Sequence, residues 1–343
     1  MVLRLGLGCH TAISIRQPVT RRQYRNDGDW TYFMRIDIAA QTDTGRRKQN
    51  NEDCYGVFRE DVPNLHLFDE GALLCVADGL GGHVGGEIAS KLAVSILKDM
   101  LKEPAPTPPE DPEDDRGYLP VLEQWILRAN TSIHQTNKDL VRTGRPMGTT
   151  LLAALVTPRK VFIGTVGDSR CYHIRDGEIL EKTEDHSWVD EQVKLGLMSR
   201  AEAEGDSRRN LVTRSIGTHP EVTVDTYLWH VVPGDILLLC TDGLINMVKD
   251  ADIRAEFQKK GSPAEIAQRL VQLANDNGGK DNITVIVANI SPTLFHLIAR
   301  KSRAFFAKHG AKAVWASLAL LLGLAAGFAA GYFYALGAFG AKP

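Results

Sequence analysis

The sequence predicts an α+β domain built on antiparallel sheets, followed by one C-terminal transmembrane helix. Three observations carry this. Strand-like runs outnumber the few long helical ones. The helical runs come in separate groups instead of alternating with strands, which argues against a doubly wound parallel sheet. Residues 313–341, AVWASLALLLGLAAGFAAGYFYALGAFGA, contain no charged side chain, and no internal repeat is present.

The elements follow in order. Residues 1–33 show no sustained period and are expected to form a poorly ordered extension, with Met34 as an alternative natural start. From Met34 a strand begins, with Ile36 and Ile38 alternating against Arg35 and Asp37. Residues 87–102 repeat Ile88, Leu92, Ile96 and Met100 every fourth position, as an amphipathic helix does. EPAPTPPEDPEDDRG then cannot continue a helix and reads as an exposed loop. Residues 119–141 resume the helical period. Strands are expected at 149–156 and 160–166 around Thr157-Pro158, and at 170–175 before the turn Arg175-Asp176-Gly177. The polar stretch 185–212 holds two short helices, and strands at 222–229 and 235–240 follow. In SPAEIAQRLVQLANDNG, Ser262 caps, Pro263 fits the first turn, Glu265 completes a capping box and Gly278 ends the helix. NITVIVANI is the last strand.

Composition narrows the function. The 343 residues are 43% hydrophobic and 24% charged, in the globular range. The formal charge of −2 hides an asymmetry: six of the 40 basic residues lie from Arg300 onward with no acid among them, leaving residues 1–299 at −8. This excludes the uniform basic face that nucleic-acid binding needs. Cys9, Cys54, Cys75, Cys171 and Cys240 are odd in number and form no C-x-x-C, so they read as reduced thiols and not as a zinc site.

The uncharged tail exceeds the roughly 20 residues that span a bilayer. A transmembrane helix is expected over 313–339, with Trp315, Tyr332 and Tyr334 near its ends. The juxtamembrane segment 293–312 carries Arg300, Lys301, Arg303, Lys308 and Lys312, against Lys342 alone downstream. The positive-inside rule then puts residues 1–312 in the cytoplasm, on a single-pass protein of the inner membrane. Gly323, Gly327 and Gly331 form one smooth helix face, through which two copies can associate.

The chemistry lies in the acids. ALLCVAD, KVFIGTVGD and DILLLCTD are apolar runs that end in Asp78, Asp168 and Asp242. Burying an unpaired carboxylate is costly, so something must sit among them. Asp281 in GGKDNITVIV and Glu52-Asp53 in NNED add further acids at strand ends or Gly-flanked turns. An all-oxygen set without histidine or cysteine suits hard cations such as Mg2+ or Mn2+. Gly79, lacking a Cβ, lets its carbonyl approach an ion closely. Any one of these Asp-Gly pairs alone reads as a turn; their joint occurrence points to a metal site.

In order along residues 36–290, TDTGRRKQNNEDCYG, CVADGLGGHVGGEIAS, GTT, VGDSRCYHIRDG, DHSWVDEQVKLGLMS, RRNLVTRSIG, DILLLCTDGL and GGKDNITVIV resemble the bacterial branch of the metal-dependent serine/threonine protein phosphatases, the PPM or type 2C family. The resemblance implies a four-layer α-β-β-α sandwich of two antiparallel sheets over a catalytic domain at 34–292. It implies two core ions, Mn2+ or Mg2+, bridged by Asp78, with the Gly79 carbonyl on the second and Asp242 and Asp281 on the first. It places a third, weaker ion at Asp168 with Asp242. Glu52 and Asp53 support the second ion, partly through water, and Asn282 orients the site. Residues 185–212 match the family's flap over the substrate.

The implied reaction is hydrolysis of phosphoserine and phosphothreonine in proteins by a metal-bridging hydroxide, with no phosphoenzyme. Two departures stand out. Lys48 occupies the place of the family's phosphate-binding arginine and lacks the two-pronged fork, unless Arg46 or Arg47 reaches in. Leu80 stands where some relatives carry a histidine, and His83 nearby is read as a support of the glycine loop. The partners implied are phosphoproteins, a membrane-bound Hanks-type kinase or its targets. The alternatives are a catalytically silent, membrane-tethered binding module of the same fold, and a small-molecule phosphohydrolase.

Overall fold

The computed structural model describes residues 34–59, 71–81, 84–103, 117–140, 146–157 and 159–292, with backbone alone at 13–15, 34, 84, 139, 140 and 292. The chain divides into Met1–Ser291 and Pro292–Pro343. The segments 293–312 and 313–339, with their glycine face, lie outside the described residues, as do Cys9, His83 and most of the proline-rich loop. Among the described residues no helix is long and apolar enough to cross a membrane.

Two antiparallel sheets form the centre. One runs β1 (Ile13–Ile15), β2 (Met34–Asp43), β13 (Ile283–Pro292), β12 (Ile236–Cys240), β9 (Arg170–Arg175) and β10 (Glu178–Lys182). The other runs β11 (Asp225–His230), β8 (Lys160–Val166), β7 (Leu151–Val156), β4 (Ala72–Ala77) and β3 (Cys54–Phe58). A two-stranded ladder joins β5 (Gly79–Leu80) to β6 (Gly148–Thr149). Of residues 1–33, expected to form a poorly ordered extension, only Ile13–Ile15 lie among the described residues, as β1. Its β-branched residues pair with β2, Ile13 opposite Ala40 and Ile15 opposite Ile38.

The layers follow from which face each side chain takes. In β4, Ala72, Leu74 and Val76 meet Ile36, Ile38, Leu237, Leu239, Ile286 and Ala288 between the sheets. The alternate residues Leu73, Cys75 and Ala77 face α1 (Val84–Met100) and α2 (Leu119–Leu140), which supply Ala93, Leu97, Leu122 and Ile126. On the other side, Tyr172, Leu238 and Val285 pack beneath α5 (Asp242–Ile245), α6 (Asp250–Gln258) and α7 (Pro263–Asp276), through Leu244, Ile253, Phe257 and Leu270. Three apolar layers thus separate four structural ones. With each fully buried Leu or Ile contributing roughly 2 kcal/mol, the core fixes both sheets rigidly enough to hold ligands at their rim. The α7 helix starts as its sequence predicts, with Pro263 in the first turn and the Ser262–Glu265 capping box formed in both directions.

Candidate metal centre

Strand register brings the acids to one rim. Cys54 pairs with Ala77, which sets Asp53 beside Asp78. Cys240 pairs with Arg170 on one side and Val285 on the other, so Asp242 lies near both Asp168 and the start of β13. Leu151 pairs with Val166, bringing Thr150 beside Gly167.

Asp78 is held by its backbone. Its N–H donates to Thr150 Oγ1 (2.9 Å), and its carbonyl accepts from Thr150 N (2.8 Å) and Thr149 Oγ1 (2.7 Å). The next residue, Gly79, packs against the start of α1, where a methyl group on Gly79 would stand 2.3 Å from Gly86 O. A methyl group on Gly86 would stand 2.8 Å from both Gly79 O and Glu52 Oε2. The two oxygens predicted to serve the second ion therefore face one glycine-lined space.

Asn282 ties the N-terminal loop to β13. Its Oδ1 accepts from Glu52 N (2.8 Å), and its Nδ2 donates to Thr44 O and Asn50 O (both 2.9 Å). Asn282 N also donates to Asp281 Oδ1 (2.9 Å). Ser90 Oγ holds Glu52 O at 2.6 Å. Asp53, almost fully buried, accepts from Thr241 Oγ1 (2.8 Å) and Thr284 Oγ1 (2.7 Å) at Oδ2 alone. Asp242 accepts from Asn246 Nδ2 at Oδ2 (3.0 Å). The Oδ1 atoms of Asp53 and Asp242 are buried without a hydrogen-bond partner.

The electrostatics match. Burial, reinforced by Asp53, Asp242, Asp168 and Asp281, pushes the Asp78 carboxyl well above its usual range. Burial and Asp281 raise Asp242 to about 6, although Asp78 stands within hydrogen-bonding reach of it. Burial raises Asp53 to about 7 against its two threonine donors. Asp168 is raised by burial, Asp242 and Asp185. Lys48 Nζ lies 2.6 Å from Asp281 Oδ1. Burial opposes the lysine's charge, but Asp281, Glu52 and Asp78 outweigh it and raise its pKa. Arg46 and Arg47 are tied by their backbone N–H groups to Gly279 O (2.7 and 3.2 Å).

Among the described residues no three carboxylate, imidazole or thiol groups close on one point as a finished ligand set. The donor chemistry nonetheless fits hard cations. All the donors are oxygen, two buried carboxylate oxygens lack any partner, and positive charge would relieve the mutual repulsion of the acids.

Several residues of the site were not singled out by sequence reasoning. Thr150, Thr241 and Thr284 hold the acids; Thr284 lies within β13 and the other two adjoin strand ends, where a threonine looks like an ordinary β-former; the GTT motif was the available signal for Thr150. Arg170 grips Asp185 with two bonds, Nε to Oδ1 at 2.6 Å and Nη2 to Oδ2 at 2.7 Å. The flap is closed at its base by Trp188 N to Leu211 O (2.8 Å) and Thr213 N to His186 O (2.8 Å). It carries α3 (Trp188–Lys194) and α4 (Arg200–Gly205), with Arg208 stacked 3.5 Å above Trp188.

Residues 46–284 match the family model described as protein phosphatase 2C. The chain is 36% identical over 255 residues to the serine/threonine phosphatase stp of Listeria innocua, covering 72% of this chain and 93% of that protein. It is 33% identical over 257 residues to the protein phosphatase PhpP of Streptococcus pneumoniae, covering 75% and 98%. Among solved structures, the Mycobacterium tuberculosis serine/threonine phosphatase PstP/Ppp superposes with a TM-score of 0.63 at 33% identity, covering 75% of this chain and 99% of that one. The catalytic domain of PstP in complex with two manganese ions gives 0.61 at 33% identity, with the same coverage.

Proposed function

The chain belongs to the protein phosphatase 2C family and is a protein serine/threonine phosphatase, and on that premise we propose that two manganese or magnesium ions at the carboxylate rim drive its hydrolysis of phosphoserine and phosphothreonine. Asp78, with the Gly79 carbonyl and Glu52, would hold one ion, and Asp78 with Asp242 and Asp281 would hold the other. Asp53 backs the set from its threonine donors, and Asp168 offers a weaker third position beside Asp242. When bound, the cations activate a water and offset charge on the phosphoryl oxygens. The protein's own share is placement. Thr149 and Thr150 fix Asp78, Asn282 holds Glu52 against β13, and Lys48, ion-paired with Asp281, would meet a phosphate oxygen as a point charge. The observation that supports this most is the buried group of mutually repelling acids with two unpartnered oxygens.

Release of p-nitrophenol from its phosphate, and of phosphate from a phosphothreonine peptide, should require manganese, stop with a chelator, and vanish in Asp242→Ala. A wild type silent in both assays would instead be the tethered binding module. A wild type that cleaves only small esters would be a small-molecule phosphohydrolase.

The uncharged sequence 313–339 supports a further part of the reading, that the domain is held at the cytoplasmic face of the inner membrane. Its substrates there would be a membrane kinase of the Hanks type or that kinase's targets. Carbonate extraction should leave the full chain, but not residues 1–312, in the membrane fraction. Gly327→Leu should abolish any self-association of the anchor.

A further inference from the structure

His186 is fully buried at the base of the flap. Its ring and backbone together hold one residue, Gly167, by both its N–H and its carbonyl. Gly167 N donates to His186 Nδ1 (3.0 Å), and His186 N donates to Gly167 O (2.9 Å). Because Nδ1 accepts, the neutral ring carries its proton on Nε2, which lies 3.2 Å from Asp225 Oδ2. Asp225 Oδ1 in turn accepts from Arg214 Nη1 (2.7 Å), just beyond the flap.

Gly167 has little freedom on its other side. Its φ is +115°, and a methyl group there would stand 2.5 Å from the Thr150 side chain. Thr150 Oγ1 accepts from Asp78 N and bonds Ser169 Oγ (2.8 Å). Asp168 lies between these two anchored residues. The flap base thus reaches Asp168 through Gly167, which His186 holds by its imidazole and by its backbone N–H, and Thr150 crowds the other side of Gly167.

We propose that His186 is a positioning residue. Its Nδ1 locks Gly167 by its N–H, and through Gly167 the backbone of the adjoining Asp168, beside Thr150. The proposal rests on the reading of the rim as a metal centre. It differs from a mere packing role in one respect: only the Nδ1 acceptor matters, not the volume of the ring.

Two substitutions in the full chain separate these roles. In His186→Asn, Oδ1 reproduces the acceptor at the place of Nδ1. In His186→Gln, the longer side chain fills more of the site and puts its polar end near the place of Nε2. The readouts are manganese affinity by calorimetry, kcat with p-nitrophenyl phosphate, and the urea midpoint. The Gln variant should be the more stable, yet lose roughly 10–100-fold in manganese affinity, as disruption of an outer-shell partner does. The Asn variant should be the less stable, yet keep the wild-type affinity. Gln binding manganese as well as Asn, or better, overturns the proposal. Calorimetry keeps the two readings apart. The predicted order of affinities in a chain that hydrolyses nothing upholds His186 and defeats the phosphatase mechanism. The reverse order in an active chain defeats His186 alone.

Discussion

Gly86→Ala tests the geometry of the rim without replacing a charged residue. The new methyl would stand 2.8 Å from Glu52 Oε2 and from the carbon and oxygen of the Gly79 carbonyl. Ordinary contact needs about 0.6 Å more, so something must yield. Gly79 pairs with Thr149 in the short ladder and follows the doubly anchored Asp78, which makes its carbonyl the stiffer partner. Most of the displacement therefore falls on Glu52. Overpacking costs roughly 1–3 kcal/mol, while alanine in place of glycine returns up to about 1 kcal/mol of helix stability. The net loss of about 0–2 kcal/mol leaves the protein folded. On the proposed ligand set, manganese affinity should fall further, by roughly 10–100-fold, since Glu52 is pushed away from the Gly79 carbonyl. Calorimetric titration with manganese, set beside urea unfolding, reads both. Gly85→Ala is the control: it gains the same helix propensity but meets only Met147, at 3.3 Å from its Cβ. Manganese binding to Gly86→Ala as tight as to Gly85→Ala would refute the claim that Gly79 O and Glu52 share one ion's space.

Other expectations are shorter. Lys48→Ala should raise KM for p-nitrophenyl phosphate by about tenfold, the worth of one half-exposed charge-assisted hydrogen bond, with Lys48→Arg restoring it; an unchanged KM removes Lys48 from phosphate binding. Asn282→Ala leaves Glu52 N, Thr44 O and Asn50 O without their partner, and urea unfolding should show a loss of about 3 kcal/mol together with weaker manganese binding. Asp235, at the opposite end of the sandwich, should dominate acid unfolding. Burial alone would raise its pKa, but two bonds from Arg175 (2.6 and 2.8 Å), with His173 Nε2 and Val232 N at 2.8 Å each, hold it well below the usual carboxylate range. Its contribution is complete above the unfolded value of about 3.9 and disappears as pH falls through the lower folded value, so melting temperature should drop below about pH 4 in the wild type. Asp235→Asn should be less stable at neutral pH and nearly flat over that acid range; a parallel decline in both proteins would sink the assignment.

What the sequence reveals depends on how each element meets water. β2 was legible because one face is buried and the other is not, so Ile36 and Ile38 alternate with Arg35 and Asp37. α7 was legible because its caps are written in Ser262, Pro263 and Glu265. β10 was missed: as an edge strand, Glu178–Lys182 is mostly exposed and polar and carries no core period. α6 was missed because its inward contribution is little more than Ile253 and Phe257. The helix expected from residue 87 starts at Val84, where Gly85 and Gly86 lower the apparent propensity for reasons of close packing. The acids were legible because a carboxylate at the end of an oily strand is an anomaly. Their threonine partners were not, because a hydroxyl becomes a ligand support only through cross-strand register such as that of Thr241 with Thr284.

The placement of those threonines explains how the fold tolerates its own site. Asp53 follows the loop before β3 in one sheet, and both of its donors, Thr241 and Thr284, stand beside β12 and β13 in the other. Asp78 ends β4, while its electrostatic neighbour Asp242 opens α5 after β12. The contacts that position the acids are thus also contacts that close the sandwich at this rim. Without positive charge, the same contacts bring repelling carboxylates together and oppose closure. On the proposed metal reading, a cation between them would reverse the sign of that term, and by mass action binding that favours only the folded state would add to its stability. Ligand placement and sheet packing at this rim are therefore one energetic unit, so a substitution that loosens one sheet against the other should weaken metal binding even when it touches no acid.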